Sequence, residues 1–258
     1  HIMMMSSFQP GDKVLIPRNC HKAVWDGLIL SGALPVYIQP EYDEERCLPT
    51  HVTPDAVKEM VAQHPDAVGM VLTNPDYYGF CPHLKEIRGI LNQYGMLMLV
   101  DEAHGAHLVF HPSLPPSGAQ CGADLWVQSA HKTLPAFTQA AYLQANITRG
   151  QQEGMSPHGF QARGGGGESE SRVRSPCLKR KIEENRIAQV HRMMQSTSPS
   201  YLLMASLDWA RGYMEQQGKD GLGKLLDDLT WTKKVIKSLG FDTMEDYKRP
   251  EIYRTDPT

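Results

Sequence analysis

Hydrophobic and polar positions alternate between two periods over the first 145 residues of the chain. Short, almost continuous apolar runs predict strands that are covered on both faces: KVLIP (13–17), PVYIQP (35–40), AVGMVLTNP (67–75), MLMLVDE (96–102), ADLWVQSA (123–130) and AAYLQA (140–145). Three intervening segments have a helical period: HKAVWDGLILSG (21–32), TPDAVKEMVAQH (53–64) and HLKEIRGILNQYG (83–95). This alternation predicts βαβ units and an α/β fold, with a mostly parallel sheet flanked by helices.

Residues at the ends of these segments support the predicted helices. Thr53 is a suitable N-cap because its hydroxyl can accept a hydrogen bond from the first turn, and Pro54 fits the first helical position. Gly32 and Gly95 follow the last periodic residues of two other helices, where glycine commonly ends a helix. The helix boundaries therefore agree with the hydrophobic pattern.

The alternation stops near Arg149, and the chain is then expected to have two further parts. Residues 150–180 are polar and rich in Gly and Ser, which predicts a flexible insertion between an α/β core (1–149) and a helical segment (181–258). The run GGGG lies there, but neither a strand before it nor GK[ST] after it supports a phosphate-binding loop. Three helices are predicted next, over 181–195, 198–218 and 221–240, the second with Ser198 as its cap.

Composition narrows the classes of partner. Apolar residues make up 41% of the chain and charged residues 21%, as in ordinary globular proteins, and the net charge of −3 argues against nucleic acid or an anionic membrane. No apolar run is long enough to cross a membrane, and the first residues lack a basic signal-peptide region. Five cysteines without CxxC spacing favour reduced thiols, so a cytoplasmic protein is expected.

The stretch LMLVDEAHGAHLVFHP (97–112) carries the first candidate chemistry. Its DEAH sequence occurs in the Walker B box of helicases, but that box acts with a GxxxxGK[ST] loop, which the chain lacks. A second alternative is a metal site at His104, His107 and His111, whose spacings share a face only on a helix. For His107 and His111 we favour ordinary loop or packing roles.

A third interpretation joins this stretch to ADLWVQSAHKTLPA (123–136). Asp101 and Lys132 both follow predicted strand ends, and ligands bind beyond the carboxyl ends of strands in open α/β sheets. A lysine and an aspartate in one crevice suit pyridoxal 5′-phosphate (PLP). The lysine amine forms a Schiff base with the aldehyde, and the carboxylate pairs with the protonated pyridine nitrogen.

Five motifs also carry a resemblance to a known family: RNCHK (18–22), TNPDYYG (73–79), VDEAHGAH (100–107), GADLWVQSAHKTLPAFTQ (122–139) and QSTSPSY (195–201). Their order and sequence resemble the ornithine/lysine/arginine decarboxylases, which have the aspartate-aminotransferase fold. The resemblance implies a PLP-dependent, aminotransferase-like large domain.

The resemblance also implies a role for each matching residue. Lys132 matches the Schiff-base lysine and Asp101 the partner of the pyridinium nitrogen, while His21 matches the histidine that stacks on the cofactor ring. Ser129 and His131 match residues near the phosphate. His104 matches a position that faces cofactor and substrate, so Lys132 or His104 is the candidate general acid.

The implied activity is decarboxylation of a basic amino acid (ornithine, lysine or arginine) by a lyase of polyamine metabolism. A homodimer or higher homo-oligomer with its active site near the interface is implied as well. Two departures qualify this expectation: Ala23 stands where the family usually has serine, and the family's upstream phosphate-binding loop and C-terminal domain have no counterpart in the sequence. The alternative is a non-catalytic truncated relative or a gene fragment, and this chain is expected to bind PLP weakly.

Overall fold

A computed structural model describes residues 1–147, 182–241, 243 and 254–255 of the protein. The predicted insertion at 150–180 lies outside these residues. The strands are β1 (Lys13–Pro17), β2 (Leu34–Ile38), β3 (Tyr42–Asp43), β4 (Leu48–Pro49), β5 (Gly69–Thr73), β6 (Phe80–Cys81), β7 (Leu97–Asp101), β8 (Leu125–Gln128), β9 (Tyr142–Ala145) and β10 (Arg254–Thr255). The helices are α1 (Ile2–Ser7), α2 (Lys22–Ser31), α3 (Pro54–Gln63), α4 (Leu84–Gln93), α5 (Ala130–Thr133), α6 (Glu184–Met194) and α7 (Tyr201–Ser238), with a 3₁₀ turn at Leu108–Phe110.

Six strands form the central sheet in the order β2-β1-β5-β7-β8-β9. The first five run parallel and β9 is antiparallel to β8, which confirms the predicted mostly parallel sheet. Two small antiparallel pairs, β3 with β4 and β6 with β10, lie outside it. The carboxyl ends of β5, β7 and β8 are therefore neighbours, as the sequence predicts for Asp101 and the segment that leads to Lys132.

Helices cover both faces of this sheet because its strands have apolar side chains on both sides. Successive residues of β7 alternate between the two layers: Met98 packs in one apolar cluster with α3 and α4, and Leu99 packs in the other with α1 and α2. Partly buried Ile187 of α6 packs against the second cluster. Helix α7 contributes Ala210 and Met214 to a third cluster around the turn that follows β7.

The predicted helix ends in the first half are confirmed. The Thr53 hydroxyl accepts a hydrogen bond from the Ala56 amide at 3.3 Å, as an N-cap does. Gly32 ends α2 with φ +70°, and Gly95 follows α4 with φ +66°. Both glycines therefore have the left-handed conformation that closes a helix.

The prediction for the second half is wrong in two places. Residues 201–238 form one 38-residue helix, not two, and its N-cap is Ser200 rather than Ser198, because the Ser200 hydroxyl accepts from the Leu203 amide. Gly218, predicted as a helix end, lies inside α7. A Cβ atom there would be 3.1 Å from Cε of Met214 and 3.3 Å from Cβ of Phe110, so glycine at this position permits close packing. Within the described residues, no helix has the length and apolar character needed to cross a membrane.

Candidate active site

The candidate site lies where β7 and β8 end. Asp101 is the last residue of β7, and β8 leads through Ser129 into the short helix α5, which carries Lys132. Parallel pairing of Asp101 with Val127 sets the two strand ends side by side. The register of the sheet thus brings a buried carboxylate and an exposed lysine to the same edge.

His104 connects these groups. Its Nε2 atom lies 3.2 Å from Nζ of Lys132. Burial lowers the pKa of His104 below its ordinary value, and the positive charge of Lys132 lowers it further, while Asp101 opposes the shift. An electrostatic effect of His21 also lowers the pKa of His104. The structure therefore brings four of the six predicted site residues together around a neutral imidazole.

The Asp101 carboxylate has limited access to water, since only 7% of the residue is exposed. Its Oδ1 atom accepts a hydrogen bond from the Ala103 amide at 3.2 Å, which fixes the carboxylate. Burial and the nearby Asp101 charge raise the pKa of the Cys20 thiol to about 11. A cation held near Asp101 would meet a negative charge that has little competing solvation.

His21 occupies the N-cap of α2. Its Nδ1 atom accepts a hydrogen bond from the Ala23 amide at 3.2 Å, so the ring is held at the helix N-terminus while its outer face stays exposed. This contact explains a histidine at the start of a helix, and it also leaves the ring free to stack on a flat ligand. The geometry is compatible with both roles.

Ser129 and His131 frame the lysine in different ways. Ser129 stands at the N-cap position of α5, where its carbonyl accepts from the Lys132 amide at 3.1 Å and its side chain makes no capping hydrogen bond. Nδ1 of His131 lies 2.9 Å from the carbonyl oxygen of Ala140. His131 therefore ties α5 to the chain before β9.

The three histidines of the DEAHGAHLVFH stretch point to three different surroundings. His104 faces Lys132, His107 is buried and acts electrostatically on Glu102, and Nδ1 of His111 accepts from the Ser113 amide at 3.3 Å. Among the residues that the structure describes, no three His, Cys, Asp or Glu side chains come together to hold a metal ion. The spacing of these histidines thus does not gather them at one metal.

Glu102 was not predicted as a site residue from the sequence, and it is fully buried beside Asp101. Its Oε1 atom accepts from the Gly118 amide at 2.6 Å and from Nδ2 of Asn74 at 3.1 Å, and its Oε2 atom accepts from Nε2 of Gln128 at 2.7 Å. Burial raises the pKa of Glu102, and these donors oppose the shift. Strand alternation was the available signal, because it turns Glu102 to the face opposite Asp101.

Two further features near the strand ends were also missed. The exposed Tyr77 ring stands edge-on to His104, with ring centroids 6.3 Å apart. Beyond β5, His51 and Asp76 line a cavity of about 10 Å³. Burial lowers the pKa of His51 to about 4, with His83 adding to the shift, and raises the pKa of Asp76 to about 6. Both side chains are therefore neutral at about pH 5.

Curated relatives match most of the chain. The chain is 43% identical over 238 residues to the uncharacterized protein YaaO of Bacillus subtilis, which covers 92% of this chain and 43% of that protein. It is 35% identical over 217 residues to the arginine decarboxylase of Bacillus subtilis, over 84% of this chain and 38% of that enzyme. The chain thus spans about two fifths of the length of these relatives.

Solved structures share the fold. The Escherichia coli constitutive lysine decarboxylase superposes with a TM-score of 0.68 at 22% identity, over 92% of this chain and 31% of that one. Alanine–glyoxylate aminotransferase from Nostoc gives a TM-score of 0.63 at 15% identity, over 100% of this chain and 61% of that one. These similarities confirm the predicted aminotransferase-like architecture.

A family profile covers almost the whole sequence. Residues 1–252 match the profile described as "Orn/Lys/Arg decarboxylase, major domain". The motifs that the sequence analysis singled out all fall inside this range. The chain therefore belongs to the Orn/Lys/Arg decarboxylase family.

Proposed function

We propose that the chain is the cofactor-binding part of a PLP-dependent decarboxylase that acts on a basic amino acid. The observation that carries the proposal is the 3.2 Å approach of Lys132 to His104, beside the buried carboxylate of Asp101. Relatives named arginine decarboxylase and lysine decarboxylase support the reaction and the substrate class. Ornithine, lysine and arginine share a distal positive charge.

The residues present fit PLP. Lys132 offers an exposed amine to the cofactor aldehyde, and Asp101 offers a buried negative charge to a protonated ring nitrogen. His21 offers an exposed imidazole face for stacking. Ser129 and His131 are proposed to lie near the phosphate. When bound, PLP withdraws electrons from the substrate carbon, which is the chemistry that loss of CO2 requires.

His104 and Lys132 are proposed to handle the proton. Because burial and Lys132 keep His104 neutral near pH 7, its Nε2 can accept a proton from the Lys132 ammonium or return one to a neutral amine. Asp101 holds a complementary charge in place, and its contact with the Ala103 amide keeps it from turning away. A neutral imidazole thus lies beside the amine and within electrostatic reach of the carboxylate.

The cellular location, the oligomeric state and the partner of the protein are also proposed. A cytoplasmic location suits PLP and the free-thiol composition, and the reaction would supply diamines to polyamine metabolism. A homodimer or higher homo-oligomer is proposed for the complete protein. Amino-acid substrate, rather than nucleic acid or a membrane, is its proposed partner, in line with the net charge of −3.

The test is capture of the cofactor by one lysine. The purified chain is titrated with PLP, reduced with borohydride and digested, and the labelled peptide is identified by mass spectrometry. We expect label on Lys132 and none after Lys132→Ala. Lys22→Ala is the matched control, because Lys22 is exposed and adjoins His21, yet pairs with Asp26 instead of His104. Release of CO2 from ornithine, lysine and arginine is measured separately on the same samples. Label spread over surface lysines in both variants would contradict the proposal and favour a non-catalytic relative.

A further inference from the structure

Glu102 collects hydrogen bonds from three separate segments of the chain. Asn74 follows β5, Gln128 ends β8, and Gly118 lies in the connection between β7 and β8. Glu102 itself follows Asp101 directly. One side chain therefore links the ends of the three neighbouring strands that carry the candidate site.

The hydrogen-bond pattern requires an acceptor at this position. Asn74 donates its amide to the Pro116 carbonyl as well, and a carbonyl can only accept, so the Nδ2 group of Asn74 faces Glu102. Gln128 accepts from Nε2 of Gln144 through its own oxygen, so its Nε2 group also faces Glu102. With the Gly118 amide, three donors converge on the two oxygens of the Glu102 carboxyl group.

Gly105 packs closely against the side chain of Glu102. A Cβ atom at Gly105 would lie 2.5 Å from Cγ of Glu102 and 2.7 Å from the carbonyl oxygen of Asn74. The backbone N–H of Asn74 also donates to the Asp101 carbonyl at 2.9 Å, which couples the ends of β5 and β7 through the backbone. Displacement of Glu102 would therefore displace Asp101 on one side and the chain leading to Lys132 on the other.

We propose that Glu102 is a positioning residue, whose three hydrogen bonds set Asp101, His104 and Lys132 in the arrangement that captures the cofactor. Glu102 does not touch the reacting groups, because its side chain lies on the opposite face from Asp101. The proposal rests on the proposed function for its cofactor readout. Glu102 acts on the cofactor site indirectly, by holding the ends of β5, β7 and β8 together.

A charge swap tests this directly. Glu102→Gln places an amide NH2 against the Gln128 NH2, and Gln128→Glu places a carboxylate against Glu102 at a 2.7 Å contact. In the double variant, the new amide at position 102 still accepts from Asn74 and Gly118, and it donates to the new carboxylate at position 128. That carboxylate in turn accepts from Gln144. Every hydrogen bond is then restored, with the charge moved from one side chain to its partner.

The first readouts are the PLP dissociation constant and the circular dichroism of the bound cofactor, which reports its orientation. We expect Glu102→Gln to weaken PLP binding about tenfold and Gln128→Glu to weaken it more, with the double variant within about threefold of the original chain. The control is Asp124→Asn. It removes the charge that pairs with Arg88, at the end of β8 opposite the site, and keeps an oxygen for the Met98 amide. It should therefore lower the melting temperature with the dichroism per bound cofactor unchanged.

A second readout needs no cofactor. The NMR titration of His104 reports its distances to Lys132 and Asp101, so its midpoint should move in both single variants and return in the double variant. Failure of the unaltered chain to label Lys132 would overturn the proposed function, yet this titration would still decide the role of Glu102. An unmoved His104 midpoint in folded single variants, an equal change in Asp124→Asn, or a folded double variant without recovery would overturn the positioning role.

Discussion

Nζ of Lys132 and Nε2 of His104 lie 3.2 Å apart, although 28 positions separate the two residues along the chain. A positive charge at that distance disfavours a second one, which adds to the effect of burial on His104. A change at Lys132 is therefore measurable at His104.

Replacement of Lys132 by methionine is expected to raise the pKa of His104 towards its ordinary value. The rise is incomplete, because burial is the larger cause of the shift and remains in the variant. The measurement is the pH dependence of the His104 imidazole proton in NMR, assigned by its loss in His104→Gln. Lys22→Met serves as the control and should leave the midpoint in place. A midpoint unchanged by Lys132→Met would mean that the two side chains are not adjacent in solution.

Asp101→Asn is expected to reduce PLP affinity more than Asp101→Glu does. Asparagine retains an oxygen for the Ala103 amide, so the turn survives and the loss reports the charge alone. An amide cannot stabilise a protonated ring nitrogen, whereas glutamate keeps the charge at a shifted position. Loss of one charge-assisted contact costs about 1.5–3 kcal/mol, roughly tenfold to a hundredfold in dissociation constant. Equal affinities of the two variants would argue against a role for Asp101 at the ring nitrogen.

Asp76→Asn is expected to stabilise the protein above pH 6. Burial raises the pKa of Asp76 to about 6, so the folded state holds its proton more tightly than the unfolded state does. Stability associated with this group is therefore lost as pH rises from about 4 to 6. Asparagine does not titrate and can still accept from the Tyr78 and Phe80 amides, which now donate to Oδ1 of Asp76.

The gain for Asp76→Asn should be roughly 1–2 kcal/mol at pH 7, less than the full shift implies because the group is half-buried, and it should vanish below pH 4. Urea unfolding at several pH values measures it. Asp66→Asn is a control of opposite sign, since the Lys13 amine 2.8 Å away lowers the pKa of that exposed carboxyl. An equal gain in stability at pH 4 and pH 7 would contradict the raised pKa of Asp76.

Gly105→Ala is expected to destabilise the protein by about 1–3 kcal/mol. The added methyl group would overlap Cγ of Glu102 and the carbonyl oxygen of Asn74, and the latter is backbone that cannot easily shift. Gly212→Ala on α7 is the matched control, because its Cβ would meet nothing within 4 Å. It should stabilise the helix by about 0.5–1 kcal/mol. Chemical denaturation of both variants tests the pair, and a neutral Gly105→Ala would show that this turn is looser than described.

The sequence predicted the first half of the fold well because local signals and the global fold agree there. Thr53, Gly32 and Gly95 end helices by interactions within a few residues, so their roles can be inferred without the tertiary structure. Gly218 could not be assigned in this way. Glycine is favoured at position 218 because Phe110, more than 100 positions earlier in the chain, packs closely against it. In the sequence alone this contact is invisible, and the glycine indicates the end of a helix.

The residues of the candidate site likewise divide into those that local motifs identify and those that only the tertiary structure reveals. Asp101, Lys132 and His104 lie in recognisable motifs and the structure brings them together. Glu102 lies in the same motif, yet its partners Asn74 and Gln128 become visible only when strand order is known. The contact of His131 with Ala140 likewise depends on the path of the chain between β8 and β9.

The strand order also determines when the candidate site can form as the chain folds during synthesis. The partners of Glu102 lie 16 to 28 positions from it along the chain, and β8 is made after β5 and β7. An emerging chain that ends before residue 125 already contains Asp101 and His104, but it lacks both the lysine and the Gln128 contact. Since non-local pairing is slow to form, Lys132 can reach His104 only after β8 has docked. Completion of the candidate site is thus a late event, tied to the last parallel strand of the sheet.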